Sequence, residues 1–423
     1  MKILVVGSGG REHAICWAIK KSRHNPQIFC APGNAGINEI AECIDIFPTE
    51  INRLAEFASA NSIDLTIVGG ETALAAGIVD EFESRNLKIA GASQNAARLE
   101  ASKVFAKDFM TRHKIPTARF KTAKSVAEAM EILRSGIFGN ESAPVVVKAD
   151  GLAAGKGVVV AKNRKEAEQA VLEMADLVGT QAANKILLEE TLTGREVSLL
   201  LFSDGKDFAL MPPARDHKRI GEGDTGANTG GMGTITDKSL LDENQTREIV
   251  ENIIKPTLSG ATVEGFPFRG ILFLGLMMTE SGAQVLEYNV RFGDPETQSI
   301  LIRLKSDLVE ICQAIVEGKL RETTVEFSDK SSACIVLASR GYPAHNQTGD
   351  VIRGLEKVKN NKNAFVFHAG TARNENGDFV TSGGRVLGVT AIGRDLENAL
   401  QNAYAAIGEI SWNGMQYRRD IGK

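Results

Sequence analysis

The first quarter of the chain alternates short apolar runs with stretches of helical periodicity. Ile3–Val6, Gln27–Cys30, Leu65–Val68 and Lys88–Ala90 read as strands, each followed by a Gly- or Pro-bearing turn. Asn52–Asn61 and Leu74–Ser84 read as helices between them. This alternation predicts a parallel, doubly wound sheet. Ser102–His113 reads as a further helix closed by Ile115-Pro116, because a residue before proline avoids helical backbone.

The middle has another texture. Val145–Ala149 and Val158–Ala161 read as strands around a glycine-rich turn, Arg164–Leu177 as a helix, and Ile186–Glu190 and Val197–Phe202 as strands. Arg215 to Thr236 is polar, holds six glycines and shows no periodicity, which predicts a long loop, either functional, as a natural lid, or disordered. Ile271–Thr279 and Ala283–Val290 read as a hairpin and Asp307–Glu317 as a helix. A last block of strands begins near Ser331 and ends in a helix near Asp395–Ile407. Two boundaries are expected, giving segments 1–101, 102–325 and 326–423.

Composition narrows the classes. The chain has 423 residues, 43% hydrophobic and 24% charged, with a net charge of −4. That describes a globular protein of several domains, not a disordered chain or a generic nucleic-acid binder. The N-terminus lacks the order of a secretory signal, and no apolar run approaches bilayer length. Five scattered cysteines and six histidines suggest neither a disulfide framework nor a zinc site. A reduced, cytoplasmic compartment is expected, with no nucleic-acid or membrane partner.

Three stretches carry chemistry. In Val145-Val-Val-Lys-Ala-Asp-Gly-Leu-Ala-Ala-Gly-Lys-Gly157 a strand delivers Lys148 to its end. The glycines beyond, Gly155 and Gly157 among them, let backbone amides approach an anion, and Lys156 adds a mobile charge. The arrangement suits a polyphosphate and is not a Walker A loop, which needs Gly-Lys-Ser/Thr opening a helix. In Leu187-Leu-Glu-Glu-Thr-Leu-Thr-Gly-Arg-Glu196, the carboxylates can bind a ribose diol or simply face solvent. In Leu286-Glu-Tyr-Asn-Val-Arg-Phe-Gly-Asp-Pro-Glu296, strand geometry puts Glu287, Asn289 and Arg291 on one face. A carboxylate beside an amide oxygen suits magnesium, and an adjacent arginine suits a carboxylate or a transferring phosphoryl group.

Gly7-Ser-Gly-Gly-Arg-Glu-His13 follows a strand and opens a helix. A dinucleotide fingerprint would need glycine at Glu12 and an acid ending the second strand, where Cys30-Ala31-Pro32 stands instead. A dehydrogenase is disfavoured. The turn still offers a helix N-terminus to a phosphate monoester, so Gly9, Gly10 and Arg11 are candidate phosphoribosyl contacts, a tight packing turn being the alternative. His13 reads as structural.

These stretches, in this order, resemble the ATP-grasp superfamily. From end to end the chain resembles its glycinamide ribonucleotide synthetase (phosphoribosylamine–glycine ligase) family, through Ala31-Pro-Gly-Asn-Ala-Gly36, Lys148–Gly157, Asp216-His-Lys-Arg219, Asn228-Thr-Gly-Gly-Met-Gly233 and Asn289–Gln298. The resemblance implies a multidomain α/β and α+β protein: an N-terminal doubly wound parallel sheet, a central ATP-grasp fold with a mobile lid over about residues 120–192, and a small C-terminal α+β domain. It implies ATP-dependent ligation of glycine to 5-phosphoribosylamine through glycyl phosphate, in purine biosynthesis, by a monofunctional monomer or weak homodimer. By position it gives Lys103, Lys148, Gly155, Lys156 and Gly157 to the nucleotide phosphates. The backbone of Glu189 and Leu192 goes to adenine, and Glu196 to ribose. Glu287 and Asn289 go to Mg2+ or Mn2+, Arg291 and Lys148 to catalysis, and Asp216, Asn228, Arg291 and Asp294 to substrates. Gly70 and Ala227 stand where this family usually has proline, and Leu274-Gly275-Leu276 lacks a further acidic ligand. Asp216–Arg219 and Asn228–Gly233 disfavour other ATP-grasp ligases such as biotin-dependent carboxylases. The intact Lys148, Glu287, Asn289 and Arg291 disfavour a non-catalytic nucleotide sensor.

Overall fold

The computed structural model describes residues 1–151, 157–178 and 185–423. The N-terminal sheet is wholly parallel, in the order Glu42–Cys43, Gln27–Pro32, Lys2–Gly7, Leu65–Val68, Ile89–Ala90. Leu65–Val68 is buried throughout, as a strand covered on both faces must be. Strand order reverses between Lys2–Gly7 and Leu65–Val68, so the turns after these two strands open on one crevice. Such crevices are where open parallel sheets take ligands. The helix expected over Leu74–Ser84 is two helices, Glu71–Ala75 and Ile78–Ser84. Gly77 breaks it at φ +88°, a left-handed conformation glycine adopts without a Cβ clash.

Residues 120–190 form a separate layer. Its antiparallel sheet runs Phe120–Ala123, Ile186–Glu190, Val145–Ala149, Val158–Ala161, and the helices Val126–Arg134 and Arg164–Val178 flank it. Val147, Ile186, Leu188, Ala129 and Leu133 give it a core of its own. The larger core instead joins Leu4 and Leu54 of the N-terminal sheet region to Leu199, Leu272 and Tyr288 of the central sheet. Two cores predict a lid that moves as one body against the rest.

The central sheet has nine strands. It runs Gly282–Asn289, Arg269–Thr279, Arg195–Asp204, Ala214–Asp216, Gly233–Thr236, Ser331–Ala338, Arg385–Gly393, Ala364–His368, with Phe208–Leu210 pairing beside Arg195–Asp204. Pairing of Gly233–Thr236 with Ser331–Ala338 carries the sheet across the segment boundary expected near residue 325. The expectation of an irregular loop over Arg215–Thr236 is corrected here. Its ends are sheet strands, and Arg219–Gly221 with Thr225–Asn228 forms a two-stranded ribbon. Strands of three or four residues are too short to display a two-residue period, which is why the sequence reads as loop.

The first helix, Gly10–Lys20, docks on the C-terminal strand Ala364–His368. Trp17 meets Phe365 edge-on, and the N–H of His368 donates to Nδ1 of His13 at 2.8 Å. No helix among the described residues is long and apolar enough to cross a membrane.

Candidate functional site

The cleft between lid and body gathers charge from distant segments. Lys148 ends the lid strand Val145–Ala149, and its buried Nζ stands 2.9 Å from Glu189 of the neighbouring strand. It also donates to the Leu286 carbonyl of the body at 3.2 Å. Lys103 opens the helix Lys103–Arg112, capped by Ser102, and donates to the Gly151 carbonyl at 2.8 Å. Gly157 is buried, and its carbonyl accepts from Ala149 at 2.9 Å. Gly155 and Lys156 lie outside the described residues.

A bulge shapes the opposite wall. Gly275 pairs with Glu287 but Leu276 with Val285, leaving Leu286 as an extra residue. Bulges re-aim side chains next to active sites, and this one turns the Leu286 carbonyl to Lys148. A Cβ at position 275 would stand 3.1 Å from Cγ of Glu287, so glycine there leaves that side chain room. Burial opposes ionisation of Glu287, but Lys218, Lys148, Lys103 and Arg291 together hold its carboxyl below the usual range. An ionised carboxylate two residues from an amide oxygen is a hard donor set that fits a magnesium-class cation.

Arg291 lies past the strand's end at Asn289, not on its face as expected, yet its guanidinium turns back. It donates to Oδ1 of Asn289 at 3.1 Å and stands 2.8 Å from Glu100 and 3.0 Å from Glu71. Glu71 follows the turn after Leu65–Val68, and Arg11 follows the turn after Lys2–Gly7, 4.0 Å from Glu71. The switch-point crevice therefore opens onto Arg291.

The N-terminal turn is partly self-satisfied. The N–H of Gly9 donates to the Glu12 carboxylate at 2.5 Å, and Nε of Arg11 donates to the same carboxylate at 2.6 Å. A Cβ on Gly69 would stand 2.0 Å from Oε1 of Glu12, so the acid fills the space a dinucleotide fingerprint keeps for its third glycine. Of Gly9, Gly10 and Arg11, the amide of Gly9 is thus already taken. Gly70 leaves room for Arg11, whose Nη2 would lie 2.8 Å from a Cβ there.

Asp216, Lys218 and Glu196 line the next side. Lys218 Nζ is 3.0 Å from the exposed Glu196. The cleft partly desolvates its ammonium although the side chain is 45% exposed, yet Glu196, Glu287 and Asp216 hold it protonated above the ordinary lysine range. Burial, then the charge of Glu296, pushes the Asp216 carboxyl up to about 8, and its Oδ1 has no hydrogen-bond partner among the described residues. Asp294 accepts from Gln298 at 2.8 Å and faces Arg385, which also donates to the Gly230 and Asp294 carbonyls. Leu192 is half-buried in the connection from Ile186–Glu190 to Arg195–Asp204. Asn228 is not brought into this cluster: it sits on the exposed ribbon, while Thr229 beside it bonds the Lys218 carbonyl.

Sequence reasoning missed Glu100, Lys107 and Arg385. Glu100 and its partner Val290 lie 190 positions apart, so no local pattern joins them. Glu71 did carry a signal, in the glycine turn Gly69-Gly-Glu.

Three models of one family match the chain: phosphoribosylglycinamide synthetase N domain over residues 1–100, ATP-grasp (A) domain over 101–297 and C domain over 332–423. The phosphoribosylamine–glycine ligase of Caldanaerobacter subterraneus subsp. tengcongensis is 47% identical over 422 residues, covering 100% of this chain and 99% of that protein. The crystal structure of phosphoribosylamine–glycine ligase from Thermotoga maritima superposes with TM-score 0.83 at 33% identity, over 99% of this chain and 100% of that one. The biotin carboxylase domain of Hydrogenobacter thermophilus 2-oxoglutarate carboxylase, solved with MgADP, shares the fold: TM-score 0.74, 17% identity, 98% of this chain and 91% of that one.

Proposed function

This chain belongs to the phosphoribosylglycinamide synthetase family, and we propose that it joins glycine to 5-phosphoribosylamine at the expense of ATP, by way of glycyl phosphate. One observation carries the reading: Glu287 lies in the combined field of Lys148 from the lid, Lys103 from the body helix, Lys218 and Arg291. Cations from four segments around one ionised carboxylate suit a polyphosphate bound with its counterion.

Lys103 and Lys148 hold the nucleotide phosphates, and Gly155, Lys156 and Gly157 are assigned to the same phosphates. The backbone of Glu189 and Leu192 meets adenine, and Glu196 the ribose. Glu287 and Asn289 hold the cation, Mg2+ or Mn2+, which when bound neutralises charge on the phosphoryl oxygens. Arg291, locked by Glu71, Glu100 and Asn289, orients the glycine carboxylate. A carboxylate oxygen attacks the γ-phosphorus, the bond to the bridging oxygen breaks, and ADP leaves. The neutral amine of phosphoribosylamine then attacks the acyl carbon. The carbon–oxygen bond to phosphate breaks, and the nitrogen loses a proton. Lid closure excludes the water that would hydrolyse the acyl phosphate. Gly10, Arg11, Asp216 and Asp294 border the phosphoribosylamine.

Five free cysteines support a reduced cytoplasmic setting. The reading is tested by a coupled assay across candidate acids and amines, with hydroxylamine to trap an acyl phosphate. It requires a hydroxamate that depends on glycine and ATP. Phosphate release indifferent to glycine contradicts it.

A further inference from the structure

Beneath the nucleotide lysine lies a second one. Lys107, one helical turn after Lys103, is 2% exposed, and its Nζ stands 3.2 Å from Oε2 of Glu189. It also donates to Oγ1 of Thr117 at 2.7 Å, and that hydroxyl donates to the Val285 carbonyl at 2.6 Å. Glu189, also 2% exposed, therefore carries Lys107 of the body on one oxygen and Lys148 of the lid on the other.

A buried carboxylate left without a cation is strongly destabilising. When Lys148 turns to a nucleotide phosphate, Glu189 must keep a partner or ligand binding bears that penalty. We propose that Lys107 is a positioning residue for nucleotide binding: it holds Glu189 paired so that Lys148 can exchange that carboxylate for phosphate. The hydrogen bonds through Thr117 anchor Lys107 to the body, and Glu189 stands in the lid's last strand beside its junction with the body, where a lid movement displaces it least. This rests on the nucleotide site proposed above. It goes beyond that site because Lys107 acts through Glu189 and touches no substrate.

The test is the affinity for Mg·ADP of the wild-type chain, Lys107→Met, Glu189→Gln and the double variant. With a charged Glu189, losing Lys107 is expected to weaken Mg·ADP at least about tenfold. With neutral glutamine at 189, the same substitution is expected to cost no more than about twofold, since no buried charge is stranded. The KM for glycine stays unchanged. Equal losses in both backgrounds, or no loss in either, overturn the proposal. Where Lys107→Met alone fails to fold, Glu189→Gln against the double variant decides: a loss beyond about twofold contradicts the proposal. Wild-type chain that binds no Mg·ADP would refute the nucleotide site itself, a distinguishable failure.

Discussion

The guanidinium of Arg291 stands 2.8 Å from the carboxylate of Glu100, and that carboxylate also receives the N–H of Val290 at 2.8 Å. One acid thus fixes both the side chain and the backbone of the segment bearing the substrate arginine. Burial raises the Glu100 carboxyl above its usual range, Arg291 opposes that rise, and Glu71 adds to it.

Glu100→Gln keeps the shape and removes the charge. Since a displacement of an ångström at a reacting centre costs about 10²-fold, kcat is expected to fall between about tenfold and 10²-fold. Nucleotide affinity should hold, because the lysines that meet the phosphates are untouched. Steady-state kinetics at saturating ATP, with an ADP titration beside them, check both halves.

Glu287→Gln removes the ionised donor from the cation site. Loss of such a donor typically costs at least about 10- to 100-fold in metal affinity or activity, so turnover should slow and the magnesium requirement rise. The melting temperature at neutral pH should fall, since burial opposes ionisation of Glu287 but Lys218, Lys148, Lys103 and Arg291 outweigh it, and the neutral amide gives up that net stabilisation. Wild-type rates at low magnesium would remove Glu287 from the metal site.

Much of this was legible in the sequence, and the failures have common causes. The doubly wound sheet, Lys148, and the Glu287–Asn289 pair follow from short-range periodicity and spacing. The bulge at Leu286 was invisible because it is a property of pairing with Gly275, not of either strand alone. The Glu71–Arg291–Glu100 clamp joins the N-terminal turn to a strand end some two hundred positions on, beyond any local pattern. Glu12 looked like a failed fingerprint. It is a plug that satisfies Gly9 and Arg11.

The buried pair His13 and His368 ties the first helix to the C-terminal strand. Burial pushes His13 down to about 3, aided by His368, and pushes His368 down to about 4, aided by Arg373. A base depressed on folding gives stability that is full above its unfolded value, 6.5, and lost as pH falls toward 4. Thermal melts between pH 7 and 4 should therefore show a steep decline. His13→Gln should flatten it, and an unchanged slope would count against the pair.

Asp216 has the opposite sign. Its carboxyl is raised from 3.8 to about 8, by burial first and Glu296 next, so the folded state favours its protonated form. That contribution is present below the unfolded value and lost as pH rises from 3.8 through about 8. Asp216→Asn cannot ionise. Its melting temperature relative to wild type should climb across pH 5 to 8 and then level. A difference independent of pH would contradict the assignment.

The central claim is that the glycine carboxylate itself attacks the γ-phosphorus. Glycine labelled with 18O in both carboxyl oxygens tests it most directly, by mass analysis of the phosphate released as glycinamide ribonucleotide forms. One 18O transferred into each phosphate is the predicted result. Phosphate carrying no label, from an assay in which product still accumulates, would contradict it.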